Sequence, residues 1–149
     1  MPTVHRATLA DSAAAWTLVD EYSRDFGIVV PDDAVSFRGY LAGSGALWLA
    51  RESDDVMGCV GLRPLPNVGP EAGEVKRLYV RPSHRRKGVA DALMDALETG
   101  ARENGYTALY LDTKDDMPAA IRFYERRGYQ RVPRYNDNPQ ATIFMRRLL

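Results

Sequence analysis

Glu74-Val75-Lys76-Arg77-Leu78-Tyr79-Val80-Arg81-Pro82-Ser83-His84-Arg85-Arg86-Lys87-Gly88-Val89-Ala90 reads as a strand, a basic turn and the first turn of a helix. Val75, Leu78, Tyr79 and Val80 supply β-branched, aromatic and aliphatic bulk, and Pro82 stops the strand. Arg85, Arg86 and Lys87 form a dense positive cluster, and Gly88 lets the backbone come close to whatever lies above it. From Val89 the period changes: Val89, Leu93, Ala96, Leu97 and Gly100 share one helical face, with Asp91, Asp95, Glu98 and Arg102 elsewhere. The helix therefore opens at the glycine, with its unpaired N–H groups and positive dipole end directed back over the basic turn, which makes an anion site. Neither a Walker-type Gly-x-x-x-x-Gly-Lys-Ser/Thr loop nor a Rossmann Gly-x-Gly-x-x-Gly turn is present.

Outward from this unit the chain alternates short strands and helices. Thr3 to Thr8 reads as a first strand, and Asp11-Ser12 caps a helix carrying Ala15, Trp16, Val19 and Tyr22 on one side and ending at Gly27. After Pro31, Asp32-Asp33 open a second helix through Val35, Phe37, Tyr40 and Leu41. Ala46 to Arg51 and Val56 to Leu62 form a hairpin across Glu52 to Asp55, with Gly58 and Gly61 as bulge signals. Pro64 to Gly73 is a loop. Beyond the long helix, Asn104-Gly105 is a C-cap, Thr107 to Leu111 a strand, and Asp115 to Pro118 the start of a helix that ends at Gly128. Tyr129 to Val132 and Ala141 to Arg146 close the chain as strands. The pattern predicts an α/β fold with a mixed central β-sheet flanked by helices, and one domain over residues 1–149.

Composition narrows the function. Hydrophobic residues at 45% and charged residues at 27% suit a soluble globular domain. A formal net charge of zero gives no global electrostatic case for nucleic acid or an anionic membrane. Locally, Lys76, Arg77, Arg81, Arg85, Arg86 and Lys87 fall in one window without an acid, which suits a small polyanion. The sole cysteine, Cys59, excludes an internal disulfide and a cysteine-rich metal site; it reads as a buried filler in a reducing compartment. No apolar signal core or membrane-length run is present, so the expected location is cytoplasmic. His5 and His84 have no triad or metal company in sequence, and no metal is expected.

Arg85-x-x-Gly88-x-Ala90 resembles the pyrophosphate-binding signature Gln/Arg-x-x-Gly-x-Gly/Ala of the GNAT superfamily of acyl-CoA-dependent N-acetyltransferases. Glu74 to Pro82 is similar to that superfamily's central strand, and Ala120-Ile-Arg-Phe123-Tyr124-Glu-Arg-Arg-Gly128-Tyr129 to its C-terminal helix-to-strand motif. The three blocks stand in the family's order between Glu74 and Tyr129. The resemblance implies a GNAT-like sheet whose central strands splay into an acyl-CoA cleft. It implies acetyl-CoA as co-substrate, with Leu78, Tyr79 and Val80 along the pantetheine arm, Arg85, Arg86, Lys87, Gly88, Val89 and Ala90 on the pyrophosphate, and Ala120 and Phe123 beside the cofactor. Many relatives carry Asn seven residues before the motif tyrosine; Met117 stands there in this chain, so that contact does not transfer.

Acyl transfer to an amine needs a proton acceptor for the amine, donors for the developing oxyanion and a proton for the departing thiolate. The resemblance makes Glu74 the candidate base, directly or through water, and Tyr124 the group that hydrogen-bonds or protonates the sulfur. Strict alternation would put Glu74, Lys76, Leu78 and Val80 on one chemically mixed face, which a bulge in the strand would resolve. Family likeness also makes Tyr22, Phe26, Phe37 and Tyr40 candidates for the acceptor wall, and Asp25, Asp32, Asp33 or Asp137 could attract a cationic amine. The expected activity is acetyl transfer to a primary amine of a small molecule or peptide, with no nucleic acid or membrane partner. A catalytically silent acyl-CoA-binding module is the alternative. A homodimer is common among such proteins, but no interface is readable here.

Overall fold

The computed structural model describes residues 2–28 and 33–149. Its elements are β1 (Thr3–Arg6), α1 (Ser12–Asp25), α2 (Ala34–Ala42), β2 (Ala46–Glu52), β3 (Asp55–Pro64), β4 (Ala72–Val80), α3 (Val89–Glu103), β5 (Ala108–Thr113), α4 (Pro118–Arg126), β6 (Gln130–Arg131) and β7 (Ile143–Leu148). Local chemistry explains the helix starts. Asp33 accepts the Ser36 N–H at 2.8 Å and caps α2. Asp32, read as opening that helix together with Asp33, lies outside the described residues, as does the preceding Pro31. Asp11 is turned the other way from the reading given it: it accepts the Thr8 N–H at 2.9 Å, closing a short turn before α1, and makes no side-chain cap on α1 itself. Gly88 (φ 78) caps α3, and Gly105 (φ 84) and Gly128 (φ 92) follow α3 and α4 in the left-handed conformation.

The described strands form one mixed sheet in the order β1-β2-β3-β4-β5-β7-β6. Every pairing is antiparallel except β4 with β5. That parallel pair is short, running only from Ala72↔Ala108 to Glu74↔Tyr110. Beyond it β4 stays with β3 as far as Val80, and β5 stays with β7 as far as Thr113. The two central strands therefore part, and the gap between them is the cleft.

One core packs α3 and Tyr124 of α4 on one face of the sheet, through Leu93, Met94, Leu97 and Val89 against Val60, Val75 and Val80. A second core packs α1 and α2 on the other, through Leu18, Val19, Phe37 and Tyr40 against Leu47, Leu49, Cys59 and Tyr79. Trp16, grouped with the apolar side of α1 from sequence, is 40% exposed and meets Phe37 edge-on at 5.1 Å.

β4 carries the bulge that its mixed alternation called for. Cys59 pairs with Tyr79 and Gly61 with Lys76, so two steps on β3 face three on β4, and Arg77 takes φ 59. The extra residue switches the faces. Val75 before the bulge packs toward α3, and after it Leu78 and Val80 do so, while Tyr79 joins the opposite core. A left-handed arginine costs about 1–2 kcal/mol. The Cys59 thiol donates to the Arg77 carbonyl at 3.3 Å and helps to hold it.

Candidate active site

Where β4 and β5 part lies a cavity of about 560 Å³, lined on β4 by Lys76, Arg77 and Leu78, on β5 by Leu111 and Asp112, and on α4 by Ala120, Phe123 and Tyr124. Tyr22 and Phe26 of α1 and the loop from Asn136 to Ala141 complete the wall. Phe37 and Tyr40, read as acceptor-wall aromatics, instead fill the core beneath α1 and α2 and do not line this cavity.

Tyr124 reaches the cavity from the middle of α4, a helix fixed at its start by Pro118. It is 9% exposed, with Phe123 and Tyr129 edge-on at 5.4 and 5.6 Å, and its hydroxyl has no hydrogen-bond partner among the described residues. Burial above all, with Tyr22 and Asp112 adding, pushes its phenol well above the ordinary tyrosine value. The group stays protonated and is available as a donor.

Glu74 is fully buried and locked. One oxygen accepts from the Arg63 guanidinium at 2.8 Å through both Nε and Nη2, and the other from the Tyr135 hydroxyl at 2.6 Å and the Asn136 amide at 3.3 Å. Glu74 lines a neighbouring cavity with Arg63, Tyr135 and Asn136, and not the one that Tyr124 lines.

The carboxylate that does share the cleft with Tyr124 is Asp112, which sequence reading missed. It accepts from Asn136 at 2.7 Å and from Asn138 at 3.4 Å, and Lys76 Nζ stands 3.9 Å away. Asn136 thereby bridges the two acids. The available signal was an acid at the end of an apolar strand, just past the point where the strands were expected to diverge. Of the acids suggested for an amine, Asp137 lines the cavity, Asp25 accepts from Tyr79 at 2.6 Å, Asp33 caps α2 and Asp32 lies outside the described residues. Burial lowers the Lys76 ammonium below the usual lysine value, with Asp112 opposing.

Beyond β4 the basic turn is pinned rather than loose. Arg85 Nε donates to the Val80 carbonyl at 2.9 Å with its guanidinium over the Tyr79 ring at 5.9 Å, and His84 Nε2 meets Asp55 at 2.8 Å. Arg86 (φ 63) and Gly88 (φ 78) curl the backbone, and the first α3 bond runs from Ala92 N–H to Gly88 C=O at 3.0 Å. The N–H groups of Val89, Ala90 and Asp91 consequently have no acceptor within the helix. A Cβ at Gly88 would meet nothing within 4 Å, so the mouth of α3 is open. Cys59 is buried, its thiol pushed up to about 12 by burial, which suits a packing residue and not a nucleophile.

A sequence profile of the Acetyltransferase (GNAT) family matches residues 15–129. The chain is 33% identical over 138 residues to an uncharacterized N-acetyltransferase of Schizosaccharomyces pombe, spanning 88% of this chain and 83% of the relative. It is 34% identical over 102 residues to the probable N-acetyltransferase family 8 member 5 of Mus musculus, spanning 67% of this chain and 45% of that protein. A GNAT-family acetyltransferase structure from Staphylococcus aureus superposes with a TM-score of 0.81 at 19% identity, covering 99% of both chains, and shows the same fold. A strand pair that splays around a phenol and opens beside a glycine-capped helix, together with these matches, establishes that the chain belongs to the acetyltransferase (GNAT) family, whose general activity is acetyl-CoA-dependent acetylation of amines.

Proposed function

We propose that the chain moves an acetyl group from acetyl-CoA to a primary amine of a small molecule or peptide by direct transfer. The observation that carries this reading is that Tyr124 and Asp112 face one cavity where β4 and β5 part.

The residues fit acetyl-CoA. Past Glu74 the β4 edge is released from β5, leaving the backbone of Leu78, Tyr79 and Val80 able to pair with the two amides of a pantetheine arm as an added strand would. The Arg85 N–H is given to the Pro82 carbonyl at 3.4 Å, so the N–H groups from Arg86 to Ala90 suit the pyrophosphate, each a charge-assisted donor at a helix end worth roughly half a positive charge. Since the Arg85 guanidinium is already held by Val80 and Tyr79, these amides and the exposed Arg86 and Lys87 carry the phosphate contact. Ala120 and Phe123 wall the acyl end on α4.

Acetyl-CoA supplies the activated acetyl group and a thiol leaving group. Transfer forms one N–C bond and breaks one C–S bond. Of the two protons that an ammonium acceptor gives up, one leaves toward a base or water and the other ends on sulfur. Tyr124, kept protonated by its burial, donates a hydrogen bond to that sulfur. Arg77 and Leu78 line the cleft at the bulge, where the ladder is irregular, and their backbone N–H groups are our candidates for the carbonyl oxygen. Glu74 was the expected base; with both of its oxygens engaged and its side chain outside the cleft, we assign the amine-facing carboxylate to Asp112. Glu74 acts behind it, steadying Asn136, Tyr135 and Arg63.

Calorimetric titration with acetyl-CoA and thiol release with an amine panel test the reading. Binding with turnover supports it; binding without turnover on any amine supports the silent module; no binding by folded protein overturns it. A lone buried Cys59 supports action in a reducing compartment such as the cytoplasm.

A further inference from the structure

The cleft pairs its charges in a way that a simple amine does not satisfy. Lys76 and Asp112 face each other at 3.9 Å, too far for a hydrogen bond, with side chains only 12% and 10% exposed. Arg77 lies over the Tyr22 ring at 5.6 Å in the same cavity, and Lys114 and Asp137 stand in its wall. Arg63, also in that wall, is held by Glu74. A bare ammonium drawn to Asp112 would enter beside the Lys76 ammonium, and the repulsion would offset most of the attraction. An acceptor that brings a carboxylate one carbon from its amine removes that conflict, because each of its charges meets the opposite one.

Resting on the acetyl-transfer reading above, we infer that the acceptor is a free α-amino acid, its amine against Asp112 and its carboxylate against Lys76. Tyr22 and Phe26, packed ring on ring at 5.2 Å, give the wall an apolar part that suits an uncharged side chain. Burial lowers the Lys76 ammonium and Asp112 raises it; an incoming carboxylate acts in the same sense as Asp112, so binding and protonation of Lys76 reinforce each other.

The test compares free L-amino acids with their carboxamides and with the decarboxylated amines of the same side chains, reading kcat/KM by thiol release. A preference for the free acids of about tenfold or more, the size of one charge-assisted contact, is expected. Lys76→Met should collapse that ratio by raising KM for the acids, with circular dichroism confirming the fold. Equal or faster turnover of the amides or amines on the unsubstituted protein overturns the inference and leaves acetyl transfer standing, as does an undiminished preference in K76M. Acetyl-CoA binding without turnover on any member of the panel also overturns it. Failure to bind acetyl-CoA at all would instead overturn the reading beneath it.

Discussion

Asn136 donates its side-chain amide to Asp112 at 2.7 Å from a loop 24 residues further along the chain. The same nitrogen lies 3.3 Å from Glu74, so one neutral amide holds two carboxylates that would otherwise face each other across the root of the cleft. Asn136→Leu removes the donor and leaves both acids short of a partner, which should cost about 1–3 kcal/mol of stability and lower kcat/KM about tenfold or more. Asn136→Asp should be worse than Leu for turnover, because a third carboxylate repels the two acids that the amide bridges. Denaturant melts and steady-state kinetics on the pair decide; turnover equal to that of the unsubstituted chain would remove Asp112 from the site.

Tyr124→Phe keeps the edge-on packing with Phe123 and Tyr129 and deletes only the hydroxyl. Loss of a positioned proton or hydrogen-bond donor at the leaving group should lower kcat by about 10²–10⁴-fold, while the Kd for acetyl-CoA moves only a few-fold. Because its burial holds the phenol above the ordinary tyrosine value, the rate should show no tyrosine limb below about pH 10. Calorimetry and a pH–rate profile of both proteins check this.

The strand, turn and helix around Gly88 were legible because each is fixed by neighbours in sequence: β-rich bulk, a proline stop, a glycine and a 3.6-residue period. Even the β4 bulge could be anticipated, since strict alternation would have put Glu74 and Leu78 on one chemically mixed face. What was not legible depends on residues far apart. Asp112 became a cleft carboxylate only when β5 diverged from β4, and Glu74 was withdrawn from the cleft by Arg63, Tyr135 and Asn136, the last two more than 60 residues away. Glu98 shows the same thing on α3. Helical periodicity set it apart from the apolar face, yet it is 3% exposed because Arg127, Tyr129 and Arg147 converge on it.

That convergence gives a stability contrast. Arg127 meets Glu98 at 2.7 Å, Asp95 at 2.6 Å and Asp91 at 2.8 Å, but the acids differ in exposure: 4% for the Glu98 side chain against 73% and 60% for the other two. Glu98→Gln should cost about 3 kcal/mol or more, since it strips a buried anion from Arg147 and Arg127. Asp91→Ala and Asp95→Ala, with solvent screening their pairs, should each cost under about 1 kcal/mol and lose that much less in high salt. Urea melts at two ionic strengths separate the cases; equal costs would show that the network is held by its surface acids.

Gly100→Ala sets two effects against each other. Alanine is favoured over glycine by about 1 kcal/mol inside a helix. Here, however, a Cβ would stand 2.6 Å from the Trp48 ring, which is buried between β2 and α3, and overpacking of that kind costs about 1–3 kcal/mol. The substitution should therefore destabilise the chain despite its propensity, by about 1 kcal/mol or slightly more. A raised melting temperature would mean that the Trp48 ring moves aside freely.

Alkaline pH should loosen the fold through its buried phenols and thiol. Burial raises Tyr129 and Tyr135 above the ordinary value, with Glu98 and Glu74 as their respective acidic neighbours, and raises Tyr124 likewise. Below the unfolded value of about 10 both states keep these protons and stability is unaffected. Above it the unfolded chain sheds protons that the native state retains, so unfolding gains free energy as pH rises toward the higher native values. Cys59, moved from an ordinary 9.0 to about 12, acts in the same sense from about one unit lower. Denaturant midpoints should thus fall steadily above about pH 9–10, with tyrosinate absorbance and Cys59 alkylation appearing together with unfolding. Tyrosines that titrate freely near pH 10 in the native protein, at an unchanged midpoint, would show that these rings are open to solvent.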